Sequence, residues 1–283
     1  MRPHVELIHE DDYVWHPAEL PRAEGKARQR NLSVDEEDGS ASLRVDFDSA
    51  WSRPGGYHVA DTEWYVLDGE IAIGDQVLGK GGYIHAPKGV AIPAMQAKEG
   101  TRILLYREFG DWAFTTGERN ADYAREQLIV LDTEKMDWLA VEKPGPKPGL
   151  MIKMLHQNPD TGFYSRLIWA KPGWDDHRLA HHPCYEEAYT VSGSMVYNFG
   201  DLTPGTYFFR PAWVKHGHFI SHEPEGCAWL IRSDGELTNF YTTNERVIVE
   251  GTAENYDKET QAPVITGIPV RSKSAGPWSG DGQ

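Results

Sequence analysis

Apolar positions along the chain fall in short runs, some alternating with polar residues and some unbroken, each four to eight residues long. They lie at Ser42 to Phe47, Glu63 to Leu67, Glu70 to Ile73, Arg102 to Tyr106, Gly162 to Trp169, Glu187 to Val191, Met195 to Asn198, Thr206 to Arg210 and Ala228 to Arg232. Each is rich in Val, Ile, Tyr, Phe or Trp and is bounded by Gly, Pro, Asp or Asn, which predicts an all-β sandwich or barrel. Helical patterning is confined to Glu118 to Gln127 and Thr133 to Trp138. The run PGPKPG at Pro144 to Gly149 cannot sustain ladder hydrogen bonds and is expected to be an exposed connection, followed by a strand from Leu150 to Leu155.

A shift of the numbering by 124 superimposes the chain on itself. Gly69 falls on Gly193, Gly81 on Gly205, Tyr83 on Tyr207, Pro87 on Pro211, Tyr65 on Tyr189 and His58 on His182. Identities at one constant offset, half of them Gly or Pro, indicate a duplicated unit. The expected division is a first barrel over 1–120, a connecting segment over 121–150, a second barrel over 151–250 and a terminal arm over 251–283. A chain of 283 residues is long enough for two such cores.

Composition narrows the classes of function. The net charge of -15 disfavours nucleic acid and anionic membranes as partners, because phosphate would be repelled. Two cysteines, Cys184 and Cys227, make no disulfide framework and no CxxC zinc site. Acidic residues occupy the place of a signal peptide's apolar core, and no run of 18 apolar residues occurs, so a cytoplasmic protein is expected.

The chemistry concentrates at His182-Pro183-Cys184-Tyr185-Glu186, with Gly193, Gly205, Pro211 and His216 beyond it. Two imidazoles and a carboxylate on a strand-rich frame are the donor set of a mononuclear non-haem Fe(II) site, also usable by Mn, Zn or Ni. In the first copy Thr62 stands for Glu186 and Ile92 for His216, so one metal ion per chain is expected, in the second copy only. His58 and His85 are read as structural. Residues two apart in a strand share a face, which places His218 beside His216 as a catalytic residue that orients substrate or moves a proton, and turns Glu187 outward to the surface.

The pattern H-x3-E-x6-G at His182, Glu186 and Gly193, followed by G-x5-P-x4-H at Gly205, Pro211 and His216, resembles the two cupin motifs. Residues 35–250 as a whole look like a bicupin. The resemblance implies two cupin (jelly-roll) barrels in tandem with a short, partly helical connection, and a likeness to cupin dioxygenases that cleave dihydroxyacetophenones or β-diketones. Where the cupin pattern begins H-x-H, this chain has Ala180. Measured from the preceding Pro-Gly pair, the second copy carries six extra residues, among them His177 and His181. A bulge there is expected to turn His181 to the metal as a fourth ligand, with His177 as the alternative.

The leading reading is a metal-dependent enzyme, a dioxygenase acting on a small aromatic, diketone or hydroxyketone substrate, with the first barrel as scaffold or as the surface of a homodimer. The same ligands serve non-redox isomerases, lyases and hydrolases, and a metal or small-molecule sensor is the third reading. Arg166 and Arg210 are candidate anchors for a substrate carboxylate, with surface pairing as the alternative.

Overall fold

The computed structural model describes residues 2–108, 110–117, 126–141 and 147–242. The expected helix at 118–127, much of the Pro144 to Gly149 connection and the arm over 251–283 lie largely or wholly outside the described residues. The apolar runs predicted as strands coincide with strands to within two residues at either end. At Thr133 to Trp138 there is one 3-10 turn, Thr133–Lys135, whose Asp132 cap accepts from the Glu134 N–H. Among the described residues no helix is long and apolar enough to cross a membrane.

The chain forms two compact units, Tyr13–Met136 with Arg2, and Pro3–Asp12 with Asp137 onward. In the first, a seven-stranded antiparallel sheet runs in the order Ile129–Asp132, Gly82–Ala86, Asp61–Asp68, Arg102–Glu108, Ala41–Phe47, Ala27–Val34, His16–Pro17. A four-stranded sheet, Trp51–Arg53, Met95–Ala97, Ile71–Ile73 and Gln76–Leu78, shares its core. The second unit repeats this order as Val5–His9, Thr206–Arg210, Glu186–Gly193, Cys227–Ser233, Tyr164–Ala170, Leu150–Gln157, Leu139–Ala140. Its other sheet is Gly200–Leu202, Met195–Tyr197, His216–Ser221, Asp175–His181, Phe240–Thr242. Two antiparallel sheets joined through inward side chains are the layering of a jelly roll.

The two copies differ at one sheet edge. Beside Gly82–Ala86 the edge is filled by Ile129–Asp132, but beside Thr206–Arg210 it is filled by Val5–His9 from the amino-terminal segment. Residues Pro3–Asp12 therefore belong with the second unit and not with a first barrel of residues 1–120. Val5, Leu7 and Ile8 are buried, and each apolar side chain removed from water contributes about 1.5–3 kcal/mol. The frame glycines follow from backbone geometry. Gly193 has φ 66°, and a Cβ there would meet the Gly226 carbonyl oxygen at 2.0 Å.

Ladder register aligns the interiors residue by residue. Ala188 pairs with Ile231, which pairs with Arg166; in the first unit the corresponding ladder is Trp64, Leu105, Leu43. Trp64, 1% exposed, fills space that Ala188 leaves open. Around Trp64 the first unit buries Arg53, with its guanidinium 4.0 Å from the Phe114 ring centroid and Nη1 2.7 Å from His58 Nε2. His58 is fully buried and stacks on Trp112 at 4.4 Å. Burial first, and then the Arg53 charge, push the His58 pKa down to about 3.

Because that pKa is depressed, the unfolded chain takes up a proton near pH 6.5 that the folded unit refuses until about pH 3. Stability is expected to fall across this window as pH drops, by about 1.4 kcal/mol per pH unit from this group alone. Denaturant titrations at stepped pH check it: His58→Phe should flatten the slope by one proton.

Candidate metal centre

Three strand ends converge in the second unit. Glu186 opens the strand Glu186–Gly193, His216 opens His216–Ser221, and His182 directly follows Asp175–His181. Glu186 pairs in register with Arg210, and His216 with Ala180. All three side chains are buried, and one ligand atom from each lies within 4.8 Å of the others. His216 Nδ1 donates to the Val214 carbonyl at 3.0 Å, which leaves the lone pair on Nε2. That Nε2 lies 3.1 Å from Glu186 Oε2 and 3.2 Å from His182 Nε2. A nitrogen and a carboxylate oxygen facing each other at this distance are bridged by a proton or by a metal cation. Imidazole and carboxylate donors at this spacing fit a divalent transition metal.

The electrostatics favour neutral His182 and ionised Glu186. Burial first pushes the His182 pKa down to about 3, with His216 and Arg210 adding to it against Glu186. Burial would raise the Glu186 carboxyl, but His216, His182 and Arg210 together hold it well below the usual carboxylate range. Arg210 Nη1 donates to Glu186 Oε2 at 2.8 Å. The other side of the same guanidinium forks onto Glu6, with Nε to Oε2 at 2.9 Å and Nη2 to Oε1 at 2.7 Å. Glu6 also meets His4 Nε2 at 2.8 Å and accepts from the Tyr197 hydroxyl. Burial pushes the Glu6 carboxyl up, but the Arg210 charge and the His4 hydrogen bond outweigh it and lower the pKa to about 2.

Glu6 reaches the site through an irregularity. Between Val5, opposite Phe209, and Ile8, opposite Tyr207, the edge strand carries one extra residue, and Leu7 has φ 51°. Both Glu6 and Leu7 are then buried, Leu7 against the apolar core that includes Phe208. A left-handed leucine costs about 1–2 kcal/mol. The strain places a carboxylate on Arg210 without giving up an apolar contact.

The structure does not bring every predicted site residue to this group. Along Asp175–His181 the side chains of Asp176, Arg178, Ala180 and then His182 line one cavity. By alternation His181 falls on the other face, where its ring lies 5.9 Å from Trp213 and 5.8 Å from Phe240. His177 is exposed and paired with Asp175 at 3.0 Å. The six-residue insertion is corrected as well. Pro172-Gly173 follows the strand Tyr164–Ala170 whereas Pro54-Gly55 follows Trp51–Arg53, so the two pairs are not equivalent. Aligned through the sheet ladders, the second copy has one extra residue, at the bulge between Asp176 and Leu179.

His218 is displaced by a second irregularity. Gly217 has φ 152° and His218 φ 52°, so alternation breaks, and Phe219 lines the cavity beside His216 in place of His218. A Cβ on Gly217 would lie 2.1 Å from the Arg178 carbonyl oxygen. Cys184, 7% exposed, directs Sγ to the Glu236 carbonyl at 3.7 Å. Arg210 is 1% exposed and not a surface residue. Its role had one signal in the sequence: the 124 offset puts Ala86 in its place, in the copy that also lacks Glu186.

The cavity at His182, Glu186 and His216 measures about 140 Å³, with Phe208, Phe219, Trp229, Ile168 and Ile231 among its walls. Paired antiparallel sheets of this order form the jelly roll of the cupin fold. The family model described as a domain of unknown function, DUF4437, matches residues 6–240, and the chain belongs to that family. Among solved structures the chain is similar to a candidate dioxygenase of Nostoc punctiforme PCC 73102, at 19% identity and TM-score 0.75, over 84% of this chain and 87% of that one. It is also similar to a glyoxylate-induced protein of Pseudomonas aeruginosa, so named by assignment (15%, TM-score 0.59, 81% and 87%). A mutant of Bacillus subtilis oxalate decarboxylase matches at 15% and TM-score 0.52, over 83% and 78%. At these identities the likeness shows the fold. No curated protein matches.

Glu187 does turn away from the cavity, but it is not on the surface. It is 1% exposed and accepts from Tyr207 Oη and Arg232 Nη1, both at 2.7 Å. Glu187→Gln, which removes the carboxylate from the buried Arg232 guanidinium, is expected to cost about 3 kcal/mol in urea denaturation, not the 0.5 kcal/mol or so of a surface change.

Proposed function

We propose that the second unit is a mononuclear metal-dependent enzyme in which His182, Glu186 and His216 hold one divalent ion, Fe(II) by preference, with Mn, Zn or Ni as alternatives. Its reaction is a dioxygenation of a small aromatic, diketone or hydroxyketone substrate. The observation that carries this reading is the lone pair of His216 Nε2 facing Glu186 Oε2 at 3.1 Å and His182 Nε2 at 3.2 Å, at the wall of a largely apolar cavity. Bound there, an iron ion supplies Lewis acidity toward substrate oxygens and electrons toward O2.

The residues around it do the rest. Val214 fixes the His216 tautomer, Arg210 fixes the Glu186 carboxylate, and three protein ligands leave about three positions of an octahedral ion open. Phe208, Phe219 and Trp229 keep water from the reacting atoms. Oxygenation is favoured over isomerisation by proton abstraction because the latter needs a general base. Among the described lining residues the carboxylate besides Glu186 is Asp176, which Arg178 holds at 2.7 Å. Burial opposes ionisation of Asp176, and Arg178 overrides it, so the carboxylate is a weak base.

The test is metal content followed by oxygen uptake on diketones, catechols and hydroxyketones. Glu186→Gln should lose one equivalent of metal per chain and all uptake; metal retained at full affinity in that variant overturns the ligand set. Glu6→Gln should keep the fold and weaken metal binding about 10–100-fold, the size of effect seen for partners of ligating groups. Turnover without O2 consumption would replace the oxygenase with a non-redox enzyme, and tight metal with no turnover would favour the sensor.

A further inference from the structure

Arg166, on the strand Tyr164–Ala170, lines the same cavity as the three ligands. Its ladder neighbours are Ile231 on one side and Met154 on the other. The guanidinium lies 4.2 Å from the centroid of the Tyr164 ring and donates to that hydroxyl at 3.2 Å. Its Nε is buried with no hydrogen-bond partner, and among the described residues no carboxylate pairs with it. In the first unit the same ladder position is Leu43, 1% exposed. A cation therefore stands where this scaffold accepts a leucine. An uncompensated charge in an apolar wall costs stability unless an anion meets it.

The rest of the lining agrees in sign. Lys147, Arg166 and Arg178 face Asp176 and Glu186, and a divalent ion enlarges the positive surplus. This surplus sits inside a chain of net charge -15. A cavity of one sign with low-dielectric walls concentrates ligands of the other. The planar fork of arginine matches the two oxygens of a carboxylate better than any neutral oxygen.

From this we infer that the substrate is a small organic acid, its carboxylate on Arg166 and a second oxygen, keto or hydroxyl, directed to His182, Glu186 and His216. The inference rests on the metal-centre reading and narrows its substrate class to anions. The cavity of about 140 Å³ is close to the roughly 150 Å³ of an engineered protein cavity that admits one benzene. The acid is thus limited to a single ring or a short chain.

The experiment is calorimetric titration of the full chain, zinc-loaded and metal-free, with 2-hydroxybenzoate and 2-oxobutanoate and with their neutral amides. Wild type should bind at least one acid ten-fold or more tighter than its amide. Arg166→Leu should abolish that preference while keeping its zinc content and circular dichroism, and Arg166→Lys should keep only part of it. Absence of acid binding, equal affinity for acid and amide, or an unchanged acid affinity in Arg166→Leu would each overturn the inference. If the leucine variant does not fold, the acid-to-amide ratio of wild type and the lysine variant decide. An acid preference that survives in the metal-free chain supports Arg166 even where the metal reading fails, and zinc lost from the ligand variants alone tests that reading separately.

Discussion

One guanidinium holds the site of the second unit together. Arg210, buried, stands between the carboxylates of Glu6 and Glu186 and bonds both. One cation against two carboxylates leaves a negative surplus in a low-dielectric interior, and such a surplus is tolerated only where further positive charge or hydrogen bonds meet it. His4 and Tyr197 meet part of it on the Glu6 side. On the Glu186 side the remaining partners are His216 and His182, the latter pushed toward its neutral form by burial. The strained turn at Leu7, the edge strand and the order of the sheet all serve to keep Glu6 on Arg210.

The two copies are a natural comparison of one scaffold filled and open. In the first, Trp64 occupies the interior and Arg53 sits on the imidazole nitrogen of His58. In the second, Ala188 vacates that volume and the matching imidazole faces Glu186 and His216. A hydrogen bond from tyrosine to glutamate on the opposite face of the sheet is common to both, Tyr83 to Glu63 at 2.6 Å and Tyr207 to Glu187 at 2.7 Å. The framework was kept while the interior diverged.

Strands and the repeat were legible because alternation and turn residues are local signals, and the convergence of His182, Glu186 and His216 was legible from their spacing. Failures came where alternation stops or where it says less than it was asked to. The bulge at Gly217 and His218 turned one histidine out of the cavity, and undisturbed alternation across Ala180 to His182 turned away another. For Glu187 alternation gave the face correctly, but a sheet buried on both faces makes the outward side another interior. Glu6 carried no signal, since its partner lies 204 residues away.

The edge strand also sets an order of events on the ribosome. Val5–His9 precedes every other strand of its sheet in the chain, and the strand it pairs with, Thr206–Arg210, is next to last. The whole first unit is translated in between, so this strand must wait unpaired until some 200 residues have followed it. Contacts of such separation form slowly, because closing the chain between them is entropically costly. To acquire its Glu6 partner the second unit must take back a segment already released. A nascent-chain factor that captures the free strand would thus act on a site encoded some 200 residues further on.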